Sequence, residues 1–412
     1  MREALVIVDG VRTPFCKVGS ELAGLAADEL GRIAVDALLT RTGFDPALVD
    51  EVIFGCVCQP VESPNVARVI TLRAGLPETV PAATVHRNCA SGFEAITTAA
   101  ERLGSGHGSV FIVGGTESMS QVPLLYSDSA ARKFTALARA KSLPARMAAL
   151  SAFRLADFKP RIALKLGLTD PVSTLNMGET AELLAREFKI SREQQDEFGL
   201  RSNQLAIAAR GKLAEEIAPV YLPRKAGQAV VNDHGPRDDE SMEMLARLKP
   251  VFDRRHGSVT AGNSSQITDG AVALLVMGES RAAALGLRPL GRLVAWTYTG
   301  CDPARMGLGP VSAIRKLEQA TGRGPRDVDL IEINEAFAAQ VLAVLQSLGD
   351  VPGNRLNVNG GSIALGHPVG ATGARLTLTA LKELARRGGH HAIVSACVGG
   401  GQGSALLLES IQ

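Results

Sequence analysis

The chain has 412 residues, 46% of them hydrophobic and 21% charged, with 43 glycines and a formal net charge of only +2. That length exceeds one simple core and suits two or three packed domains, and the balanced charge gives no ground for nucleic acid or a membrane as a bulk partner. Six cysteines (Cys16, Cys56, Cys58, Cys89, Cys301 and Cys397) include no Cys-x-x-Cys pair, which argues against a disulfide scaffold or a zinc knuckle and for a reduced, cytoplasmic compartment. No apolar run approaches the roughly 18–20 residues of a membrane span.

In chain order, 4–9 reads as an apolar strand, leaving no room before it for a signal or transit peptide. A helix over 33–42 leads into a Pro46-x-x-Val-Asp50 turn and a strand ending at Gly55. Cys89 then precedes an alanine-rich helix over 92–103, a Gly/His turn and a buried strand over 109–113. The stretch 121–252 differs in character: it is charged, with amphipathic helices over 179–188 and 192–211, the second N-capped by Ser191. It reads as an inserted lid or specificity domain, with the chain returning to the first half at 257–277. A second copy of the opening pattern follows. A helix over 313–321 leads to Pro325-x-x-Val-Asp329 and a strand ending at Asn334; His367 precedes a helix over 371–387 and a strand over 392–396. Asp50 to Cys89 and Asp329 to His367 are nearly the same separation, so the chain is an internal duplication.

Alternating strands and helices with β-branched strands predict an α/β fold of two similar halves. The expected division is 1–120 with 253–280 as the N-terminal half, 121–252 as the loop domain and 281–412 as the C-terminal half. Cys89 and His367, at corresponding places, would then face each other across a pseudo-twofold, at helix starts where backbone N–H groups are free.

Four segments carry candidate chemistry. Cys89, at a strand-to-helix junction, is expected to have a lowered thiol pKa from nearby N–H groups and to aim its own N–H at an oxyanion; alone, it is equally a small buried packing residue. His367, in the glycine-rich run 357–373, is a base for a cysteine or a structural turn residue. Cys397, followed by Val-Gly399-Gly400-Gly401, offers a thiol beside bare N–H donors. Asn334, in Asn-Glu335-Ala-Phe337, is a strand-end amide or a simple cap. The remaining cysteines read as packing thiols.

Together these segments resemble the thiolase family. Asn-Cys89-Ala-Ser-Gly, Gly114-Gly-Thr-Glu-Ser-Met119, Asn334-Glu-Ala-Phe, Gly366-His-Pro and Cys397-x-Gly-Gly stand in the family's order, with Arg12-Thr-Pro14 and Gly257-Ser-Val-Thr-Ala-Gly-Asn263 as further matches over essentially the whole chain. The resemblance implies duplicated βαβαβαββ halves in a five-layer αβαβα core, with an inserted, mostly helical loop domain. It implies CoA-dependent cleavage of 3-ketoacyl-CoA, or the reverse Claisen condensation, through a thioester on Cys89. His367 would take the thiol proton, Asn334 would hold a water that with His367 Nε2 forms one oxyanion hole, and Cys397 would move the proton at the acetyl α-carbon. The N–H groups of Cys89 and Gly399 would form the second hole. Coenzyme A is a substrate, and no metal or other cofactor is implied. Ala261 and Ser265 would meet the pantetheine arm, Met177, Met306 and Phe337 the acyl end, and Lys249, Arg254 and Arg255 the CoA phosphates or simply water. A homodimer or homotetramer is implied.

Within 132–165, nine Lys/Arg stand against one acid, Asp157, a local charge of +8, interleaved with Phe134, Leu143, Met147, Leu150, Phe153 and Phe158. Such a pattern fits a peripheral membrane surface, a partner subunit, or a solvated helical hairpin. It is similar to the long loop of trifunctional-complex β-subunits, which implies a hydratase/dehydrogenase partner and a role in fatty-acid β-oxidation. Two positions depart: those subunits carry His where Asn334 stands, and short-chain acetoacetyl-CoA thiolases place His where Asn176 stands. The alternatives are a biosynthetic acetoacetyl-CoA thiolase, a 3-ketoacyl synthase (which lacks the second cysteine), a Cys–His–Asn hydrolase, and a non-catalytic acyl-CoA-binding subunit.

Overall fold

The computed structural model describes residues 3–222, 227–349 and 351–411. Nine strands lie in one path: β1 (Leu5–Arg12), β2 (Glu51–Gly55), β3 (Ala82–Val85), β4 (Val110–Glu117), β5 (Thr268–Gly278), β6 (Gly291–Gly300), β7 (Leu330–Ile333), β8 (His391–Val398) and β9 (Gln402–Ser410). Their spatial order is β7-β8-β9-β6-β1-β5-β4-β2-β3, with the two-residue strand Cys16–Lys17 added on β5. β4 and β5 are buried along their whole length, as β-branched runs covered on both faces require.

The duplication is visible in the pairing. β2 runs parallel to β3 and β4, and β5 and β1 complete that half antiparallel. In the second half β7 runs parallel to β8, and β9 and β6 follow antiparallel. The counterpart of β3 is reduced to a single parallel bridge, Ile331 to Leu356. The halves join edge to edge where Val6 and Ile7 of β1 meet Arg292 and Gly291 of β6.

The repeated turn has a repeated purpose. Asp50 accepts hydrogen bonds from the N–H groups of Ser109 (2.7 Å) and Val110 (2.9 Å), fixing the start of β4. Asp329 accepts from His390 (2.7 Å) and His391 (3.0 Å), fixing the start of β8. Burial opposes the Asp329 charge, but these two N–H groups outweigh it and hold its pKa down. The helices before the turns match as well. α1 (Ala27–Thr42) and the helix Gly309–Thr321 both end on a Thr whose hydroxyl donates to the carbonyl four residues back, and both stop at a left-handed glycine, Gly43 and Gly322.

Five layers result. α1 and α2 (Val66–Arg73) cover the outer face of the first half in one apolar cluster with Val52, Phe54 and Ile112. The central layer holds α3 (Ser91–Gly104) and the helix Thr372–Arg387, whose Phe93, Ile96, Leu376 and Leu378 share a core with Val113 of β4 and Val394 of β8. Gly309–Thr321 and Ala338–Leu348 form the outer layer of the second half with Ile331, Ile393 and Leu407.

The stretch expected as one insertion over 121–252 is divided. Val122–Thr169 forms its own compact unit, whereas Asp170 onwards belongs with the two halves. Helices Met177–Glu187 and Arg192–Ala208 lie in that main unit; the second ends at Ala208, and a separate turn of helix spans Arg210–Ala214. Within Val122–Thr169, the helices Asp128–Arg139, Leu143–Ser151 and Ala163–Gly167 accompany a strand pair, Leu124–Leu125 with Arg161–Ile162. Tyr126, Phe134, Phe153 and Phe158 pack ring on ring, and Lys133 pairs with Asp157 at 2.6 Å. Leu143, Met147, Leu150, Leu155 and Ile162 are exposed; Leu155 is 93% so.

Candidate functional site

After β3 the chain makes a tight reversal. Asn88 has φ 44°, in the left-handed region that asparagine tolerates better than most side chains. Ala90 N–H donates to Arg87 O, and Ser91 N–H to Asn88 O, so Cys89 is held two residues before α3. The backbone N–H groups of Cys89 and Gly399 act on the Cys89 thiol, each favouring its thiolate. The expected lowering of the thiol pKa is not the outcome. Burial pushes it up, the two N–H donors offset this in part, and the Glu117 carboxylate adds to the rise. Cys89 rests as a thiol and needs a base.

Cys397 lies on β8 opposite Gly403, fully buried. Burial first, and then its two neighbouring thiols, Cys89 and Cys301, push its pKa well up. Asn88 Nδ2, next to Cys89, donates to Gly399 O, two residues beyond Cys397, at 2.7 Å, so a cysteine-bearing turn from each half of the duplication meets at one junction. All six cysteines are free.

His367 follows Gly366, whose φ of 100° favours glycine. Its Nδ1 lies 2.6 Å from Thr372 Oγ1, while the Thr372 hydroxyl donates to Pro368 O at 3.0 Å. The hydroxyl proton being committed, Thr372 is left to accept Nδ1–H, and Nε2 keeps its lone pair. Asn334 Nδ2 faces that nitrogen at 3.3 Å, and Asn334 Oδ1 accepts from Ser362 Oγ at 2.6 Å. Burial, aided by the nearby Arg375 guanidinium, lowers the His367 pKa to about 4. A buried neutral imidazole with Nε2 unprotonated is a competent general base for a thiol.

Several buried groups hold this arrangement without any signal that singled them out in the sequence. Glu117 accepts from the N–H groups of Cys58 (2.8 Å), Val57 (3.1 Å) and Gly370 (2.9 Å), tying the loop after β2 to the turn after His367. Burial raises its pKa to about 7. Arg375, wholly buried, reaches Glu332 and Ser362 at 3.4 Å each. Glu335, next to Asn334, accepts from Ser202 Oγ (2.6 Å) and Asn357 Nδ2 (2.7 Å). Glu117 lies inside a quoted motif, and Thr372 and Ser362 lie within five residues of His367, so proximity was the available clue.

Of the residues expected at the acyl end, Met177, Met306 and Phe337 cluster with Cys397, joined by Ala181, Val259 and Phe252. The rings of Phe252 and Phe337 meet edge to face at 6.0 Å. Ser265 N–H donates to Ala336 O, beside Phe337, and Ala261 is exposed two residues before the buried Asn263. Arg254 and Arg255 line an open cleft with Arg186 and Phe252; Lys249 is exposed and is not part of that lining. Among the described residues, no group of three or more His, Cys, Asp or Glu is disposed to hold a metal ion, and no helix is long and apolar enough to cross a membrane.

Residues 5–280 match the family described as thiolase, N-terminal domain, and 287–410 match thiolase, C-terminal domain. The chain is 41% identical over 426 aligned positions to the 3-ketoacyl-CoA thiolase of Serratia proteamaculans, covering 99% of this chain and 97% of that one. It resembles in structure the acetyl-CoA acetyltransferase of Bacillus anthracis (TM-score 0.90, 39% identity, 100% and 99% covered). Human mitochondrial 3-ketoacyl-CoA thiolase in complex with CoA is similarly close (TM-score 0.88, 38% identity, 99% and 98% covered).

Proposed function

The chain belongs to the thiolase family and is an acyltransferase, and we propose that it cleaves 3-ketoacyl-CoA with CoA through a thioester on Cys89. The observation that carries this reading is the 2.7 Å hydrogen bond from Asn88 Nδ2, next to Cys89, to Gly399 O, two residues beyond Cys397, which joins the thiol-bearing turns of the two halves, with a neutral His367 as the available base.

As His367 Nε2 takes the Cys89 proton, the sulfur attacks the C3 ketone of the substrate. The N–H groups of Cys89 and Gly399, both of which favour the Cys89 thiolate, would receive the developing oxyanion. Collapse of the adduct breaks the C2–C3 bond, leaving the acyl group on sulfur and the electron pair on the acetyl-CoA unit as an enolate. Asn334, through a water, and His367 hold the enolate oxygen, and Cys397 protonates its carbon. CoA thiol, giving its proton to the Cys397 thiolate, then attacks the thioester and releases acyl-CoA shortened by two carbons, while the departing Cys89 sulfur takes back its proton from His367. Every step is reversible, so the same residues serve condensation. Met177, Met306 and Phe337 would bound the acyl end, and Arg254 with Arg255 would meet the CoA phosphates.

The degradative direction, on medium or long chains in fatty-acid β-oxidation, agrees with the names of the curated relatives. It is also supported at Asn176, where the side chain is committed to N-capping Met177–Glu187, with Glu179 closing a capping box. The likeness to an acetyl-CoA acetyltransferase favours the second reading, condensation of two acetyl-CoA. Turnover of 3-ketohexadecanoyl-CoA against acetoacetyl-CoA separates them: the first reading expects the long substrate to be preferred, and a strong preference for acetoacetyl-CoA overturns it.

For assembly, β3 pairs with β2 alone among the described strands; its free edge is where a second copy would add, giving a homodimer or a dimer of dimers. The basic, apolar unit Val122–Thr169 is assigned an anionic counterpart, either a membrane surface or a partner subunit.

A further inference from the structure

Gly399, Gly400 and Gly401 form the turn between β8 and β9, and the last two have φ of 87° and 80°. Three glycines in succession carry no side chain to fix their own geometry, and each has more backbone freedom to lose than any other residue. The turn is therefore held from outside. At one end Cys301 N–H donates to Gly401 O at 2.7 Å. At the other, Asn88 Nδ2 donates to Gly399 O at 2.7 Å, and alongside it Arg87 Nη1 reaches Gln402 Oε1 at 3.4 Å. A side chain on Gly399 would meet Met177 Sδ at 3.4 Å and Asn88 Nδ2 at 3.8 Å, so the turn is enclosed on that side as well.

Resting on the reading of Cys89 and Gly399 given above, we propose that Asn88 is a positioning residue that clamps the Gly399 carbonyl and, by fixing the backbone on either side of that residue's Cα, sets its N–H as the second donor of the Cys89 oxyanion hole. The same residue does two jobs one bond apart. Its left-handed backbone turns Cys89 toward the site, and its side-chain amide crosses the pseudo-twofold to fix the donor from the opposite half. The nucleophile and the distant donor are thereby registered to each other by one side chain, not by two independent loops. Asparagine suits both tasks, since it tolerates positive φ and carries a neutral donor.

Three substitutions separate these tasks. Asn88→Gly keeps the backbone freedom and deletes the amide; Asn88→Asp keeps the shape and turns an oxygen toward the Gly399 carbonyl; Asn88→Ala loses both. The clamp predicts that Asn88→Gly lowers kcat by about 10- to 100-fold with KM changed less than about threefold, as for a misaligned oxyanion donor. It also predicts that the pH midpoint for iodoacetamide alkylation of Cys89, followed by peptide mapping, moves upward, because the thiolate loses the Gly399 N–H. A purely structural role would lower the unfolding temperature without moving that midpoint. A folded Asn88→Gly or Asn88→Asp protein with wild-type kcat and an unshifted alkylation profile overturns the clamp. Wild-type protein that never acquires an acyl group on Cys89 defeats the underlying reading instead, so the two failures are distinct.

Discussion

His367 illustrates how much of the site is decided by single hydrogen atoms. The Thr372 hydroxyl spends its proton on Pro368 O and leaves an acceptor for Nδ1–H, which fixes the tautomer with Nε2 unprotonated and facing the Asn334 amide. Thr372→Val should therefore lower kcat by about 10- to 100-fold with little change in KM, a part of the roughly 10²–10⁴-fold weight of the general base it orients; an unchanged kcat in steady-state assays would remove Thr372 from the account. The depressed His367 pKa also has a thermodynamic consequence. With the folded value near 4 against 6.5 for the free group, the unfolded chain binds the proton first as pH falls. The stability this group confers is whole above about pH 6.5 and lost progressively toward pH 4, about 2.5 kcal/mol being gone by pH 4.5. Denaturant unfolding at pH 7 and 4.5 checks this: His367→Asn should narrow the difference between the two pH values by about that amount, and an equal loss in both proteins counts against it. The Cys89 position was legible in its motif, but the direction of its pKa was not. Helix-start donors can be read from a sequence; burial of the sulfur cannot.

At the scale of elements, the decisive contact is the crossing of α3 with the helix Thr372–Arg387. A Cβ on Gly92 would lie 2.6 Å from Ala374 N, and one on Gly373 2.4 Å from Phe93 N. Backbone packs on backbone here, and this close approach brings the Cys89 turn to the His367 turn. Gly92→Ala should cost about 1–3 kcal/mol through overpacking and lower kcat as the halves separate; thermal unfolding with kinetics tests both, and a variant unchanged in each would show that the crossing has slack. The repeat of helix, Pro-x-x-Val-Asp turn and strand was readable because Asp50 and Asp329 perform one task twice, each receiving the first N–H groups of the parallel strand alongside its own. The third strand of the second half was not readable, since it survives only as the Ile331–Leu356 bridge. Asn88 escaped notice for a related reason: its partner is a backbone carbonyl 311 residues away, invisible to any local pattern.

Across the whole molecule, two units of different character share one chain. The inserted stretch looked uniform in sequence because charge and helical periodicity run through all of it; packing alone separates Val122–Thr169 from the rest. That unit carries exposed Leu143, Met147, Leu150 and Leu155 among its nine basic residues. If its counterpart is an anionic membrane, the protein should co-sediment with vesicles containing acidic phospholipid and be released as salt is raised above about 0.15 M; protein that stays in the supernatant at low salt leaves the partner subunit as the reading. The central claim, that two halves of a duplicated chain assemble one acyl-transfer site around Cys89, is met most directly by intact and peptide mass spectrometry after brief exposure to an acyl-CoA. The account predicts one acyl group, on the peptide containing Cys89, absent from Cys89→Ser. An acyl group found elsewhere, or none in the wild-type protein, would contradict it.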